Sequence, residues 1–314
     1  MQLGRSLTLR WRDVAMVRVA MTIALAFLLG AVTPAQAAGL DRASGQGKMI
    51  LGYRADARPF SYKDDAGKPA GYSVALCQKI VDAVKAELSL PKVDVEFVEV
   101  TSTDRFDALV QGRIDLLCGA ATATLERRRQ VAFSIPIFPS GIVALVREDA
   151  PERLKAVLDG REPPYEPRWR GSPALVLAQR VLLAVAGTTT EPWLTQRRQE
   201  LDIPAVIDAV PSYDEGITRV LDRDADVLFG DRAILLDAAA RSPAADDLAV
   251  LTRYFAYEPI ALAVARGDED LRWLADRTLS RLYRSGEIAA IYTSYFGEPD
   301  GNSLFFFSVV ALPE

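Results

Sequence analysis

From residue 48 onward, short apolar runs alternate with longer stretches whose apolar residues recur every three to four positions. That pattern predicts strands and helices layered on one another. MILGYR reads as a strand, and GYSVALCQKIVDAVKAEL as a helix with Val74, Cys77, Val81, Val84 and Leu88 on one face. VDVEFVEV alternates with period two and predicts a strand, STDRFDALVQG a short helix stopped by Gly112, and RIDLLCG another strand. TLERRRQ predicts a helix opened by Thr124 as N-cap. After IVALVRED a second series begins with the strand VLLAVAG. A helix follows in GTTTEPWLTQRRQEL, capped by Thr188 or Thr189 with Pro192 in its first turn. AVIDAV, YDEGITRVLDRD and ADVLFGD then predict strand, helix and strand. PIALAVARG is a last strand, and two helical stretches follow it. The Pro- and Arg-rich GREPPYEPRWR at 160–170 predicts a surface loop.

The first 37 residues follow a different rule. Arg5, Arg10, Arg12 and Arg18 precede or open the apolar run Val19 to Val32, and TPAQA then sets Ala35 and Ala37 in a small-x-small spacing. This is the pattern of a secretory signal peptide, and the run is short against the ~20 residues of a bilayer span. No Cys follows the run, so no lipid anchor is expected. Export places the rest of the chain in an oxidising compartment.

Composition narrows the chemistry. The 314 residues carry 37 Lys and Arg against 42 Asp and Glu, a net charge of −5. Losing four Arg and Asp13 with the signal takes that to about −8, which offers no basic field to a nucleic acid. The chain has no histidine, which removes imidazole bases, Ser-His and Cys-His pairs and His-based metal sites. Two cysteines, Cys77 and Cys118, are too few for a four-thiolate zinc site. No cofactor and no metal is expected.

Several blocks of the sequence resemble the family 3 extracellular solute-binding proteins, in the branch that binds glutamate and aspartate for ABC import. They are GYRADARPFSYKDDAGKPAGYSVALCQKIVDAV, TSTDR, DLLCGAATATLERRRQVAFS, AGTTTE and ADVLFGDRAILL, in family order and spacing across residues 48 to 300. The resemblance implies an α/β fold, the type II periplasmic binding protein, with two α/β lobes joined by two crossing strands and a ligand in the cleft. The crossings fall near IVALVRED and PIALAVARG. The expected organisation is therefore 1–37 signal peptide, 48–146 and 257–297 a discontinuous first lobe, 147–256 the second lobe and 298–314 a C-terminal tail. Lobe closure would be hinge motion about a few strand residues.

An amino acid presents a carboxylate and an ammonium, so its site needs a cation and an anion about one residue apart. The resemblance assigns the α-carboxylate to Arg127, whose guanidinium fork matches it, with the Thr122 hydroxyl beside it. Asp231, after the apolar strand ADVLF, is the ammonium partner and equally a helix N-cap. Thr188 offers a hydroxyl and nearby backbone N–H groups. Arg54 and Arg105, with Ser102, would take a distal carboxylate, because further arginines repel one another unless a second negative charge arrives. The alternative for these two is a surface pair with Asp56 or Asp104. The chain departs from the family where Ala120 replaces a serine and Tyr213 stands for a histidine. Cys77 on the first helix and Cys118 at a strand end match cysteines of some branch members, which implies a disulfide.

The expected function is a monomeric periplasmic receptor that passes an acidic amino acid to an ABC permease at the inner membrane. A receptor for another polar amino acid is an alternative. So is a secreted enzyme resembling cyclohexadienyl dehydratase on the same fold, with Glu191 or Asp214 as a conceivable acid.

Overall fold

Apolar runs buried on both faces make the centre of the molecule, which a computed structural model describes for residues 39–161 and 176–313. The signal segment and most of the loop at 160–170 lie outside the described residues. The first half comprises helix α1 (Gly39–Gln46), strands β1 (Lys48–Tyr53), β2 (Asp56–Ala57), β3 (Ser61–Lys63) and β4 (Pro69–Ala70), and helix α2 (Tyr72–Glu87). It continues through β5 (Asp94–Glu99), α3 (Arg105–Val110) and β6 (Leu116–Thr122). Strand β7 (Val131–Arg147) leads into α4 (Glu152–Leu158), β8 (Val181–Val185), α5 (Thr190–Glu200), β9 (Val206–Val210), α6 (Tyr213–Leu221), β10 (Val227–Asp231), α7 (Arg232–Arg241) and β11 (Leu248–Val250). Strand β12 (Ala256–Ala265) then precedes α8 (Glu269–Ser285), α9 (Ile288–Phe296) and α10 (Gly301–Val310).

The sheet order is β5-β1-β6-β12-β7-β10-β8-β9, with β11 also on β7. β5, β1 and β6 are parallel, as are β10, β8 and β9. Between these halves the long β7 and β12 run antiparallel to their neighbours. Each parallel half buries apolar side chains on both faces: Leu116 and Leu117 of β6, like Leu182 and Leu183 of β8, belong to different clusters.

Helix α2 buries Val74, Cys77, Val81 and Val84, the stripe its periodicity predicts. Cys77 reaches Cys118 of β6, and the two form a disulfide with Cα atoms 6.1 Å apart.

Three elements differ from the sequence reading. TLERRRQ forms a single 3-10 turn at Arg127–Arg129 rather than an α-helix. The Thr124 hydroxyl still accepts the Arg127 N–H at 3.1 Å, but pairing of Val131 with Ala265 starts β7 too soon for a longer helix. The stretch VAFSIPIFP, to which the sequence reading assigns no element, becomes the first part of β7, with Pro136 at the register shifts against β12 and Pro139 opposite Pro259. The C-terminal tail contains α10, which buries Phe307 against Tyr283 and Tyr292 at ring distances of 5.0 and 5.9 Å.

Candidate functional site

The carboxyl ends of the parallel strands of both halves point at one place, as open α/β sheets place their ligands. Arg54 follows β1, Thr122 ends β6, Thr188 follows β8, Tyr213 opens α6 after β9, and Asp231 ends β10. With Arg105 from α3 they line a single small cavity of about 20 Å³, room for one water-sized body. A larger hollow of about 460 Å³ lies among Leu182, Trp193, Phe229 and Phe255, beside Arg161 and Leu177. It contains none of the charged site residues named above.

The three arginines are held differently. Arg54 is 1% exposed, and its Nε and Nη2 donate to the Asp56 carboxylate at 2.9 and 2.8 Å. The pairing weighed from sequence is thus present, but it is a buried arginine that makes it. Arg105 is 2% exposed and donates from Nη2 to the Gly187 carbonyl at 3.1 Å, while its buried Nε and Nη1 have no hydrogen-bond partner. Asp104 is not its partner; that carboxylate takes Arg113 at 3.1 Å and the Thr101 N–H. Arg127 donates to the carbonyls of Thr122 at 3.0 Å and Gly187 at 3.4 Å. Among the described residues neither Arg105 nor Arg127 has a carboxylate within ion-pair distance. The Phe106 ring lies 4.6 Å from the Arg105 guanidinium carbon and 5.1 Å from that of Arg127. Burial, then the charges of Arg54 and Arg127, hold Arg105 well below the usual guanidinium pKa.

The acids converge from the other side. Asp231 caps α7, its Oδ1 accepting the Ala233 and Ile234 N–H groups at 3.0 and 3.4 Å. Burial pushes its carboxyl up to about 6, and the charge of Glu258 adds to the effect. Glu258, near the start of β12, accepts the Thr122 hydroxyl at 3.1 Å. Tyr213 packs against Gly230, where an added Cβ would stand 2.6 Å from the ring. Burial and then the Asp231 charge raise its phenol.

Gly187 is the pivot of the β8–α5 turn. Its φ is +71°, and a Cβ there would meet the Ser102 carbonyl oxygen at 2.7 Å. Ser102 is buried at that contact rather than on the cavity wall. The N-cap of α5 is Thr189; Thr188 instead donates its hydroxyl to the Val185 carbonyl at 2.7 Å. Arg127 likewise stands behind the wall, and Ala120 is on it. Sequence reasoning missed Glu258 and Phe106. A lone acid in the apolar strand AYEPIALAVA was the available signal for the first, since a buried charge needs a partner. Phe106 gave none beyond its place next to Arg105.

A model of the bacterial extracellular solute-binding proteins, family 3, matches residues 49–298. The L-glutamate/L-aspartate-binding protein of Pseudomonas aeruginosa is 30% identical over 261 residues, 83% of this chain and 80% of that one. The L-cystine-binding protein of Escherichia coli is 26% identical over 260 residues, covering 82% and 86%. Among solved structures, an ancestral amino acid-binding protein described as a precursor of cyclohexadienyl dehydratase superposes with a TM-score of 0.65. It is 26% identical, over 83% of this chain and 100% of that one. The chain belongs to the family 3 extracellular solute-binding proteins and has the type II periplasmic binding fold.

Proposed function

We propose that this protein is a periplasmic, monomeric receptor for an acidic amino acid, glutamate or aspartate, which it hands to an ABC permease at the inner membrane. Residues 48–146 and 257–297 form its first lobe and 147–256 its second. The observation that carries the reading is Arg105, a buried guanidinium with two bare donor atoms in the same cavity as Asp231. A buried cation without an anion is costly, and a ligand carboxylate removes that cost. Charge by charge, Arg127 and Arg105 suit the α- and distal carboxylates, and Asp231 with Glu258 suits the ammonium. Arg54, held by Asp56, becomes a wall of the distal pocket. The identity to a glutamate/aspartate-binding relative supports the same ligand.

The cystine-binding relative keeps another polar amino acid as the second reading. The dehydratase alternative loses its two candidate acids. Glu191 accepts the Gly187 N–H at 2.9 Å and borders a separate open groove. Asp214 is 79% exposed and faces Arg241 at 3.9 Å. Calorimetric titration with each of the twenty amino acids and with cystine tests the proposal: heat with glutamate or aspartate supports it, and heat only with cystine, glutamine or a cationic amino acid overturns the ligand assignment.

A further inference from the structure

A hydroxyl has one proton to give, so where it donates decides what it offers elsewhere. The Thr122 hydroxyl lies 3.1 Å from Glu258 Oε2, which as a carboxylate can only accept, and 3.5 Å from the Thr189 hydroxyl. With its proton given to Glu258, Thr122 can meet Thr189 and anything in the cavity that it lines only as an acceptor.

We propose that Glu258 is a positioning residue of the amino-acid site: it fixes Thr122 as an acceptor, so that the ligand ammonium is received between Thr122, Glu258 and Asp231. This rests on the receptor reading above and changes one part of it. An acceptor-only Thr122 repels a carboxylate, so Thr122 serves the ammonium end rather than standing with Arg127 at the α-carboxylate. Glu258 is placed for this by β12, where it is the register partner of Ser140 on β7. It is buried, facing Thr122 and Arg127 from the first half of the chain and Asp231 from the second. Ser140 and Tyr213 stand beside Asp231 as well, and the charges of Arg54 and Asp56 act on Tyr213.

The test compares wild type, Glu258→Gln and Glu258→Asp. Titrations use glutamate and glutarate, which lacks the ammonium, from pH 4.5 to 8, and the ligand-free Asp231 carboxyl is followed by carbon-13 NMR. Glu258→Gln should bind glutamate at least tenfold more weakly at pH 7 while glutarate changes less than threefold, and Glu258→Asp should recover part of the loss. Because the Glu258 charge raises Asp231, its removal should also move the Asp231 midpoint, and the acid fall-off in glutamate affinity, to lower pH. A residue that only packs would weaken both ligands alike and leave the midpoint in place, and that result overturns the proposal. Glutamate affinity equal to wild type also overturns it. If wild type binds neither compound but the Asp231 midpoint still moves in Glu258→Gln, the acidic-amino-acid reading fails and the electrostatic role of Glu258 survives.

Discussion

The resemblance set Arg127 at the α-carboxylate and paired Arg54 with Arg105 at the distal one, and the hydrogen-bond partners now separate the two members of that pair. Arg105 and Arg127 bond only to carbonyls among the described residues, so either one turned toward a ligand exchanges a neutral acceptor for a charged one. Arg105→Ala and Arg127→Ala should each cost about 2 to 5 kcal/mol of glutamate binding, the penalty for leaving a ligand charge unpaired. Arg54→Ala should cost less, because Asp56 already holds that guanidinium. Titration calorimetry ranks the three, and an Arg54→Ala loss larger than that of Arg105→Ala would contradict the assignment. Asp231 gives a second test. Burial pushes it up to about 6 in the folded state, above the ordinary aspartate value of 3.8. Between those values the native state holds a proton that the unfolded chain has released, so this group's contribution is full below pH 4 and is lost as pH rises through 6. The loss is about 3 kcal/mol at 1.36 kcal/mol per pKa unit. Ligand-free wild type should accordingly lose stability from pH 4 to 7 relative to Asp231→Asn in urea unfolding. A ligand ammonium reverses the balance and expels the proton. Glutamate binding at pH 5.5 should release about three-quarters of a proton from Asp231, measured in buffers of different ionisation enthalpy, and zero release removes Asp231 from the ammonium site. The identities of these residues were legible in sequence through the family motifs that carry them, and for Asp231 also through the apolar strand that it ends. Their partners were not, since Asp56, Phe106 and Glu258 meet them only after the sheet has formed.

At the level of elements, apolar periodicity located the regular strands and helices because their burial repeats every two or 3.6 residues. It failed where tertiary pairing set the limits, as in the 3-10 turn before β7, and it gave no element for the first part of β7. The β8–α5 turn carries a mechanical consequence of Gly187. Arg105 and Arg127 can both reach its carbonyl only if the turn approaches Ser102, and a Cβ at 2.7 Å from that backbone, in a left-handed conformation, opposes the approach. The conformational part alone is about 1 to 2 kcal/mol. Gly187→Ala should weaken glutamate binding about fivefold to a hundredfold and give a larger radius of gyration by X-ray scattering with saturating ligand than wild type does. Unchanged affinity would show that the turn does not gate closure. The disulfide lies within the first half of the chain, fastening α2 to β6 across 41 residues. Chain-entropy arithmetic for such a loop gives about 4 kcal/mol. The Cys77→Ala, Cys118→Ala double variant should lower the urea midpoint by that stability while leaving glutamate affinity within about twofold. A variant as stable as wild type would mean the bridge does not constrain the unfolded chain.

Over the whole molecule, the two parallel halves are not independently cored. One apolar cluster runs from Leu76 and Ile80 of α2, through Ile137, Val143 and Leu145 of β7, to Leu183, Val210 and Leu228 beyond it. Separate clusters form around Leu109 and Leu117 in one half and Leu154 and Phe229 in the other. The crossing strands add to the sharing, since β7 pairs with β12 along its first part and with β10 and β11 along its last. Unfolding either half alone would strip apolar surface and ladder bonds from the other, so heat should unfold the chain in a single transition with equal calorimetric and van't Hoff enthalpies. A ligand bound by Arg105 on one side and Asp231 on the other stabilises that one unit. At a hundred times its dissociation constant it adds about 2.7 kcal/mol. With about 2.1 cal/mol/K of unfolding entropy per residue over about 277 residues, the melting temperature should rise by about 5 °C. Glutamate or aspartate should produce that shift in differential scanning calorimetry, and a neutral or cationic amino acid should not. Two resolved transitions of which glutamate moves only one would mean the shared cluster does not couple the halves, and the ligand would then be held by one lobe rather than clamped between two.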